Sequence, residues 1–179
     1  MPNREFQGYV NVRQVMGKSM FTLRADLAST KVKVAIKFAT GVALPKIGTC
    51  VPAGSCILAW MSPDELLIVA PSGEAQEIYS NLDKALSGLH ALLEDVSDAR
   101  ANFTLTGANV REVLAKLAPM DTNQAYFPVG SFNRTRFAQV AGAVFMEKED
   151  VISLICFRSV QDYVFALFSD AAALGSEVF

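Results

Sequence analysis

Two amphipathic helix patterns, separated by a fixed distance, constrain the fold more than any other feature of this sequence. Each has apolar residues at helical spacing and follows two strand-like runs and a serine. Ser72 is expected to cap the first helix, and Ser159 to form a capping box for the second with Asp162. The matched positions lie 85 residues apart: Ala75 and Val160, Ile78 and Tyr163, Tyr79 and Val164, Leu82 and Leu167, Leu86 and Ala171. The repeat predicts two halves of related architecture.

The segments before the first helix are predicted to be mainly strands. Residues 19–25 form one, and residues 31–38 form another because lysines alternate there with apolar residues. Residues 40–54 contain two prolines and three glycines and are predicted to form a loop. Residues 56–60 and 65–70 form a hairpin, since Pro63 has the φ angle that a type I turn favours at its second position. Gly88 is expected to end the helix that begins at Ser72.

The second half has the order strand, helix, strand, strand, helix. Residues 96–106 are predicted as a strand, and Thr106 as the cap of a helix at 108–118 with Val110, Val113, Leu114 and Leu117 on its core face. A loop at 120–133 precedes a hairpin of residues 135–146 and 151–157. This order predicts one α+β domain over 1–179, made of two fused ferredoxin-like (split βαβ) halves at about 15–88 and 95–174, after an N-terminal arm at 1–14.

Composition and charge narrow the classes of function. Hydrophobic residues make up 51% of the chain and charged residues 19%, which suits a domain with a substantial core. The net charge is −2 and the lysines and arginines are scattered, which argues against nucleic-acid binding. The N-terminus lacks an apolar signal region, and no run approaches the ~20 apolar residues of a membrane span. We therefore expect a cytoplasmic protein without membrane segments.

The cysteines and the histidine give no catalytic or metal-binding pattern. Five residues separate Cys50 from Cys56, and His90 is the sole histidine, so a zinc site lacks ligands. Cys156 lies in an apolar run and is expected to be a small core residue. His90 has no evident nucleophile partner, and the glycine-rich phosphate-binding motifs are absent. The sequence therefore predicts no catalytic and no metal-binding residue.

A cluster of charge around residues 94–100 has two readings. Glu94, Asp95 and Asp98 beside Arg100 could form an acid/base site. Alternatively, Asp95 and Ser97 bond backbone groups at a strand entry while Arg100 pairs with a carboxylate, and we favour this structural reading. Trp60, before the turn at Pro63, is expected to pack in the core.

Aromatic residues crowd the C-terminal end of the chain. Phe165 and Phe168 fall on adjacent faces of the last helix, so a single core stripe cannot cover both, and Phe157 and Phe179 lie nearby in sequence. A helix that is apolar on more than one face usually meets another surface. This pattern predicts contact with a partner subunit.

Several short motifs, taken in order, resemble the gamma subunit family of heterotetrameric sarcosine oxidase. They are WMSPDELL at 60–67, DVSDAR at 95–100, LTGANVREVLAK at 105–116, PVG at 128–130 with Thr135 and Arg136, and Arg158 with Ser159. The resemblance runs from about residue 56 to 167. The resemblance implies that seven residues of these motifs have structural roles: Trp60, Pro63, Asp95, Ser97, Arg100, Gly107 and Arg111.

The resemblance implies both a fold and an assembly. The family is similar to the folate-binding domain of glycine-cleavage aminomethyltransferase, and the assembly would oxidatively demethylate sarcosine to glycine. FAD, FMN, NAD and tetrahydrofolate are expected in the holo-complex on the larger subunits, with no cofactor in this chain. The aminomethyl-transferring relatives have an aspartate pair in a strand that corresponds to residues 137–145, where this chain has no carboxylate. Independent folate chemistry would then lack its acid/base group.

These observations lead to one main hypothesis and two alternatives. The chain is expected to be a non-catalytic structural subunit that packs against the large (alpha) subunit and contacts the other subunits, and to self-associate, as a homodimer, when isolated. Its own catalytic status stays open. The alternatives are a stand-alone folate-binding or one-carbon transfer protein, and an assembly module of another complex.

Overall fold

A computed structural model describes residues 4–178, which divide into two compact units. The central unit is Gly17–Asp98, and the terminal unit combines residues 4–16 with 99–178. In chain order the elements are β1 Glu5–Gln7, β2 Asn11–Val15, β3 Lys18–Ala25, α1 Thr30–Thr40, β4 Cys50–Ala53, β5 Cys56–Ser62, β6 Glu65–Pro71, α2 Ala75–Leu86, β7 Ala91–Asp95, β8 Arg100–Thr106, α3 Val110–Leu117, β9 Phe132–Phe137, β10 Val140–Lys148, β11 Val151–Phe157 and α4 Gln161–Ala171, with a 3-10 turn at Arg158–Val160.

The central unit has a ferredoxin-like arrangement with one added strand. Its antiparallel sheet has the order β4-β5-β6-β3-β7. Strands β3, β5, β6 and β7 with helices α1 and α2 make the βαββαβ pattern, and β4 extends the β5 edge. The predicted hairpin is confirmed as β5 and β6, in which Trp60 pairs with Leu66. The helices cover a core that includes Leu23, Leu58 and Ile68.

The terminal unit has the same pattern, but its fourth strand is β2, which comes before the rest of the pattern in the chain instead of after α4. The sheet order is β1-β2-β8-β11-β10-β9. Strand β2 lies beside β8, in the position that β7 occupies beside β3 in the central unit. The segment predicted as an arm at 1–14 therefore includes strand β1 and most of β2, whereas residues 1–3 lie outside the described part. The ferredoxin-like fold class is confirmed, while the bounds of the two halves, about 15–88 and 95–174, stay a prediction.

The strand predicted at residues 31–38 is wrong, because this segment is helix α1. Val32, Ala35 and Ile36 are its buried residues, at the i, i+3, i+4 spacing of one helix face. Gly41 follows with φ 76°, and its backbone N–H donates to the Lys37 carbonyl. A left-handed glycine with this bond ends a helix. The alternation of lysines with apolar residues was a coincidence of composition.

Other predicted boundaries also change. The loop at 40–54 contains strand β4, and the strand at 96–106 starts only at Arg100, after β7 has ended at Asp95. Residues 135–146 are not one strand, since β9 and β10 are joined by a tight turn at which Ala138 has φ 50°. The hairpin across 147–150 is confirmed as β10 and β11.

The predicted helix caps are wrong, because each helix begins one to three residues later. The N-cap positions are Glu74, Asn109 and Val160 rather than Ser72, Thr106 and Ser159. The Ser72 hydroxyl lies 3.2 Å from that of Ser19. Asp162 forms an ion pair with Arg4 instead of a capping box. None of these three N-cap residues makes a side-chain capping hydrogen bond, so the local capping pattern does not determine where these helices begin.

The helix faces are predicted more accurately than the ends. Val110, Val113 and Leu114 of α3 are fully buried, and Leu117 packs against the same core. Leu82 and Leu86 of α2 are buried, with Ala75, Ile78 and Tyr79 packed around them. In α4 the buried residues are Val164, Phe168 and Ser169, while Tyr163, one of the matched positions of the repeat, is 45% exposed. The exposed Tyr163 and its counterpart Ile78, which packs against the core, thus differ in burial.

Candidate functional site

Trp60 and Pro63 lie at an open groove of the central unit rather than in its core. Trp60 stands on β5 and is half-buried, and Pro63 lies in the turn that follows. The groove has a volume of about 840 Å³. Its other apolar walls come from Leu27 in the β3–α1 connection, from α1, and from the segment before β4, including Leu44 and Ile47. The predicted core role of Trp60 is thus replaced by a position on a surface.

Asp95 and Ser97 order the end of β7. The Ser97 hydroxyl accepts a hydrogen bond from the backbone N–H of Met20 at 2.9 Å. The Asp95 carboxylate in turn accepts the backbone N–H of Ser97 at 2.9 Å. Val96 adds a backbone bond to the Met20 carbonyl at 2.8 Å. These contacts are the backbone role predicted for the pair, at a strand exit rather than a strand entry.

Arg100 is the first residue of β8 in the terminal unit, and hydrogen bonds join this point to Arg158, just after β11. The Arg158 guanidinium donates to the Arg100 carbonyl at 3.0 Å, and the Arg158 backbone N–H donates to Ala99 at 2.9 Å. The motif residues Arg100 and Arg158 are thus in contact, although they lie 58 positions apart in the sequence. Their contact fixes the register at which β8 and β11 begin to pair.

Gly107 occupies the sharp turn from β8 into α3. Its φ of 145° lies in a region that favours glycine, and its N–H donates to the Asp150 carbonyl at 3.0 Å. A Cβ at this position would lie 3.4 Å from the Tyr9 carbonyl oxygen. The glycine of the T-G motif therefore has a backbone role in placing the helix.

Arg111 holds the long loop between α3 and β9. One guanidinium nitrogen donates to the carbonyls of Thr122 and Phe127, at 2.8 and 2.7 Å. The other donates to Glu149 at 2.9 Å. Phe127 is fully buried and anchors the loop in the core, whereas Tyr126 beside it is 74% exposed. The arginine thus stabilises a loop that presents an aromatic side chain outward.

A cluster around Lys116 was not predicted from the sequence. Its ammonium donates to the Tyr9 hydroxyl at 2.7 Å and to the carbonyls of Ala171 and Ser176. Glu112 accepts the backbone N–H of Val178 at 2.8 Å and lies 3.4 Å from the Lys116 ammonium. The Val178 bond, with those of Tyr9 and Lys116, lowers the pKa of Glu112. The cluster ties the C-terminal residues to α3.

The two buried cysteine thiols, Cys56 and Cys156, lack the features of a reactive site. Cys156 is buried in the core of the terminal unit, as predicted, and burial raises the pKa of its thiol to about 11. Burial also raises the pKa of Cys56. A thiol with a raised pKa is a poor nucleophile at neutral pH because it carries little thiolate.

Residues 4–178 contain neither a metal-ligand cluster nor a membrane-spanning helix. In this described part, no group of three or more His, Cys, Asp or Glu residues is placed to hold a metal ion. Over the same residues, no helix has both the length and the apolar character that crossing a bilayer requires.

Residues 137–145 correspond to the strand that has an aspartate pair in the aminomethyl-transferring relatives, and here the end of this stretch is apolar and buried. Residues Ala143, Val144 and Phe145 of β10 are buried. Glu147 comes two residues later, is exposed, and accepts a hydrogen bond from Ser153. Residues 137–145 therefore offer no carboxylate to a pterin, so this stretch does not fit a folate site of the kind expected in the aminomethyl-transferring relatives.

The C-terminal aromatic residues are only partly exposed. Phe168 is fully buried against Phe137, and Phe165 packs on Phe103 with ring centroids 6.3 Å apart. Within the described residues from 157 onward, the exposed aromatic side chains are instead Phe157 at 55% and Tyr163 at 45%. Phe179 lies outside the described residues.

Comparisons with known proteins match most of the chain. The model of a family described as sarcosine oxidase, gamma subunit family, matches residues 24–174. Sarcosine oxidase subunit gamma from Arthrobacter sp is 30% identical over 136 residues, which are 74% of this chain and 65% of that protein. The match therefore spans slightly less than two thirds of the length of this relative.

Two solved structures share the fold. Heterotetrameric sarcosine oxidase from Corynebacterium sp. U-96 includes a chain that is 27% identical, with a TM-score of 0.85 over 94% of this chain and 87% of that one. Glycine cleavage system aminomethyltransferase T from Bartonella henselae is 15% identical, with a TM-score of 0.72 over 94% of this chain and 48% of that one. At this identity, the second likeness concerns the fold alone.

Proposed function

Because the chain belongs to the sarcosine oxidase gamma subunit family, we propose that it is a non-catalytic structural subunit of a heterotetrameric, flavin-dependent sarcosine oxidase. The observation that carries this proposal is the likeness, over 94% of this chain, to a chain of a heterotetrameric sarcosine oxidase. The whole assembly would convert sarcosine to glycine by oxidative demethylation. FAD, FMN, NAD and tetrahydrofolate would bind the larger subunits, and this chain would supply packing surface.

The loop at 120–131 supports a role in assembly. Arg111 and the buried Phe127 hold this loop in one conformation, so the exposed Tyr126 and Val129 are presented without a further ordering cost. Rigid aromatic side chains of this kind are enriched at the centres of protein interfaces. We place one contact with the large subunit here, and a second at Tyr163 on α4.

A permanent interface of this kind typically buries more than about 2,000 Å². An isolated chain would then expose apolar surface, and self-association as a homodimer would follow.

The buried thiols Cys56 and Cys156 fit the reducing cytoplasm in which we place the complex.

Affinity purification from the native cell tests the proposal. A tagged chain should recover larger subunits that carry bound flavin, seen as visible absorbance, in a fixed ratio to the chain. The Tyr126→Ser variant should reduce recovery, whereas Leu174→Ser, at a 78% exposed position outside both proposed contacts, should not. Recovery of the wild-type chain without any flavoprotein would reject the proposal. Micromolar binding of tetrahydrofolate to the chain alone, measured by calorimetry, would favour the folate-binding alternative.

A further inference from the structure

Helix α1 of the central unit has an apolar outer face with no covering element in the described chain. Phe38 is 86% exposed and Val34 is 62% exposed, one helical turn apart. Ile47, before β4, is 78% exposed. Isolated exposed apolar residues are common, but large ones grouped on one surface mark interaction sites.

These residues connect two hollows. Val34 lines the groove that contains Trp60, and it also lines a second hollow of about 450 Å³ between α1 and the end of α2, together with Phe38 and Leu89. The two hollows therefore adjoin at Val34, and together they make one apolar surface. We call it the α1 face, defined by Val34, Phe38, Ile47, Trp60 and Leu89.

Lysines surround the α1 face. Lys33, Lys37 and Lys46 line the groove, and Lys31 lines the second hollow. Among the described residues that line either hollow, none is acidic. The chain as a whole has a net charge of −2, so this local positive charge is opposite in sign to that of the molecule.

We propose that the α1 face docks an acidic amphipathic segment of a larger sarcosine oxidase subunit, with apolar side chains in the two hollows and carboxylates beside the lysines. The inference rests on the proposed function for the existence of that subunit. Charge complementarity selects the acidic partner, and the apolar hollows select one with large side chains. A second copy of this chain fits less well, because a two-fold contact through the α1 face would oppose lysines to lysines.

Co-expression of the complete complex, with the tag on the large subunit, tests the inference. Phe38→Glu and the double variant Lys33→Glu/Lys37→Glu should each reduce recovery of this chain at least about tenfold. The matched controls are Leu92→Glu, at a 51% exposed position on β7, and Lys18→Glu at the start of β3, neither of which lines the hollows. Both controls should assemble like the wild-type chain.

The remaining outcomes separate the two proposals. Unchanged melting temperatures of the isolated variants would show that lost recovery reflects docking, as expected for exposed positions. Normal recovery of Phe38→Glu and the double lysine variant would overturn the α1 proposal while the proposed function stands. If Phe38→Glu lost self-association but the large subunit recovered it normally, the α1 face would bind a second copy of this chain. That result would also overturn the α1 proposal. Failure of the wild-type chain to assemble would overturn the proposed function and this inference with it.

Discussion

Arg111 shows how one motif residue organises a distant part of the chain. Its guanidinium joins α3 to two carbonyls of the following loop and to Glu149 on the β10–β11 hairpin. The side chain is only 19% exposed, so water replaces these bonds poorly when the arginine is removed. The motif marked this position in the sequence, but the carbonyl partners could not be predicted because they depend on the path of the loop.

Arg111→Ala should lower the free energy of unfolding by about 2–3 kcal/mol, since buried carbonyls lose charged donors. Urea denaturation measures the change. Arg4→Ala is the control: this arginine is 34% exposed and pairs with Asp162, which is 72% exposed, so its removal should cost less. Equal losses in the two variants would contradict the role given to Arg111.

Glu112 should make stability depend on pH. Its pKa is lowered in the folded chain, so the ionised carboxylate stabilises the fold above its ordinary value of 4.5, and this contribution is lost as the pH falls through the folded pKa. Glu112→Gln should therefore be less stable than the wild-type chain at pH 7. The difference should shrink below about pH 4.5.

Thermal melts of both proteins between about pH 3 and 7 test this expectation. Glu77→Gln, at an exposed position of α2, is the control for the loss of one carboxylate elsewhere on the surface. A constant difference between Glu112→Gln and wild type across the range would contradict the assignment. The cluster around Lys116 could not have been found from the sequence, because Tyr9 and Lys116 are 107 positions apart.

At the scale of elements, helix faces were more predictable than helix ends. The apolar stripe of α3 follows from periodicity, because burial repeats every three to four residues in any packed helix. Residues 31–38 form a helix although their lysines alternate with apolar residues, because Val32, Ala35 and Ile36 also fit one helix face. The glycine at position 41 was the signal that could have identified the helix, since it stands where a helix of this length ends.

Leu114→Ala tests the phase of α3 directly. Leu114 is fully buried, so the truncation should cost ~2–5 kcal/mol. Leu174→Ala, at a 78% exposed position, should change stability by less than about 0.5 kcal/mol. Denaturant titration of the two variants gives both values, and an unchanged stability of Leu114→Ala would show that the helix face is wrongly assigned.

At the scale of the whole molecule, the order of elements predicts the fold class but not that β2, far earlier in the chain, completes the sheet of the terminal unit. The β-α-β-β-α order of the second half and the matched hairpins led to two split βαβ halves, which is the observed architecture. The strand that completes the terminal unit, β2, lies about 90 positions before its neighbour β8. A short strand with alternating polar residues gives no local sign of so distant a partner.

The central claim is that this chain contributes surface rather than chemistry to a sarcosine oxidase. Sarcosine-dependent oxygen consumption, measured for the purified chain, for the larger subunits without it, and for the complete complex, tests this claim most directly. We predict no turnover by the chain alone and full activity only when it is assembled with the flavin-bearing subunits. Turnover of sarcosine by the lone chain, or full activity and stability of the other subunits without it, would contradict the claim.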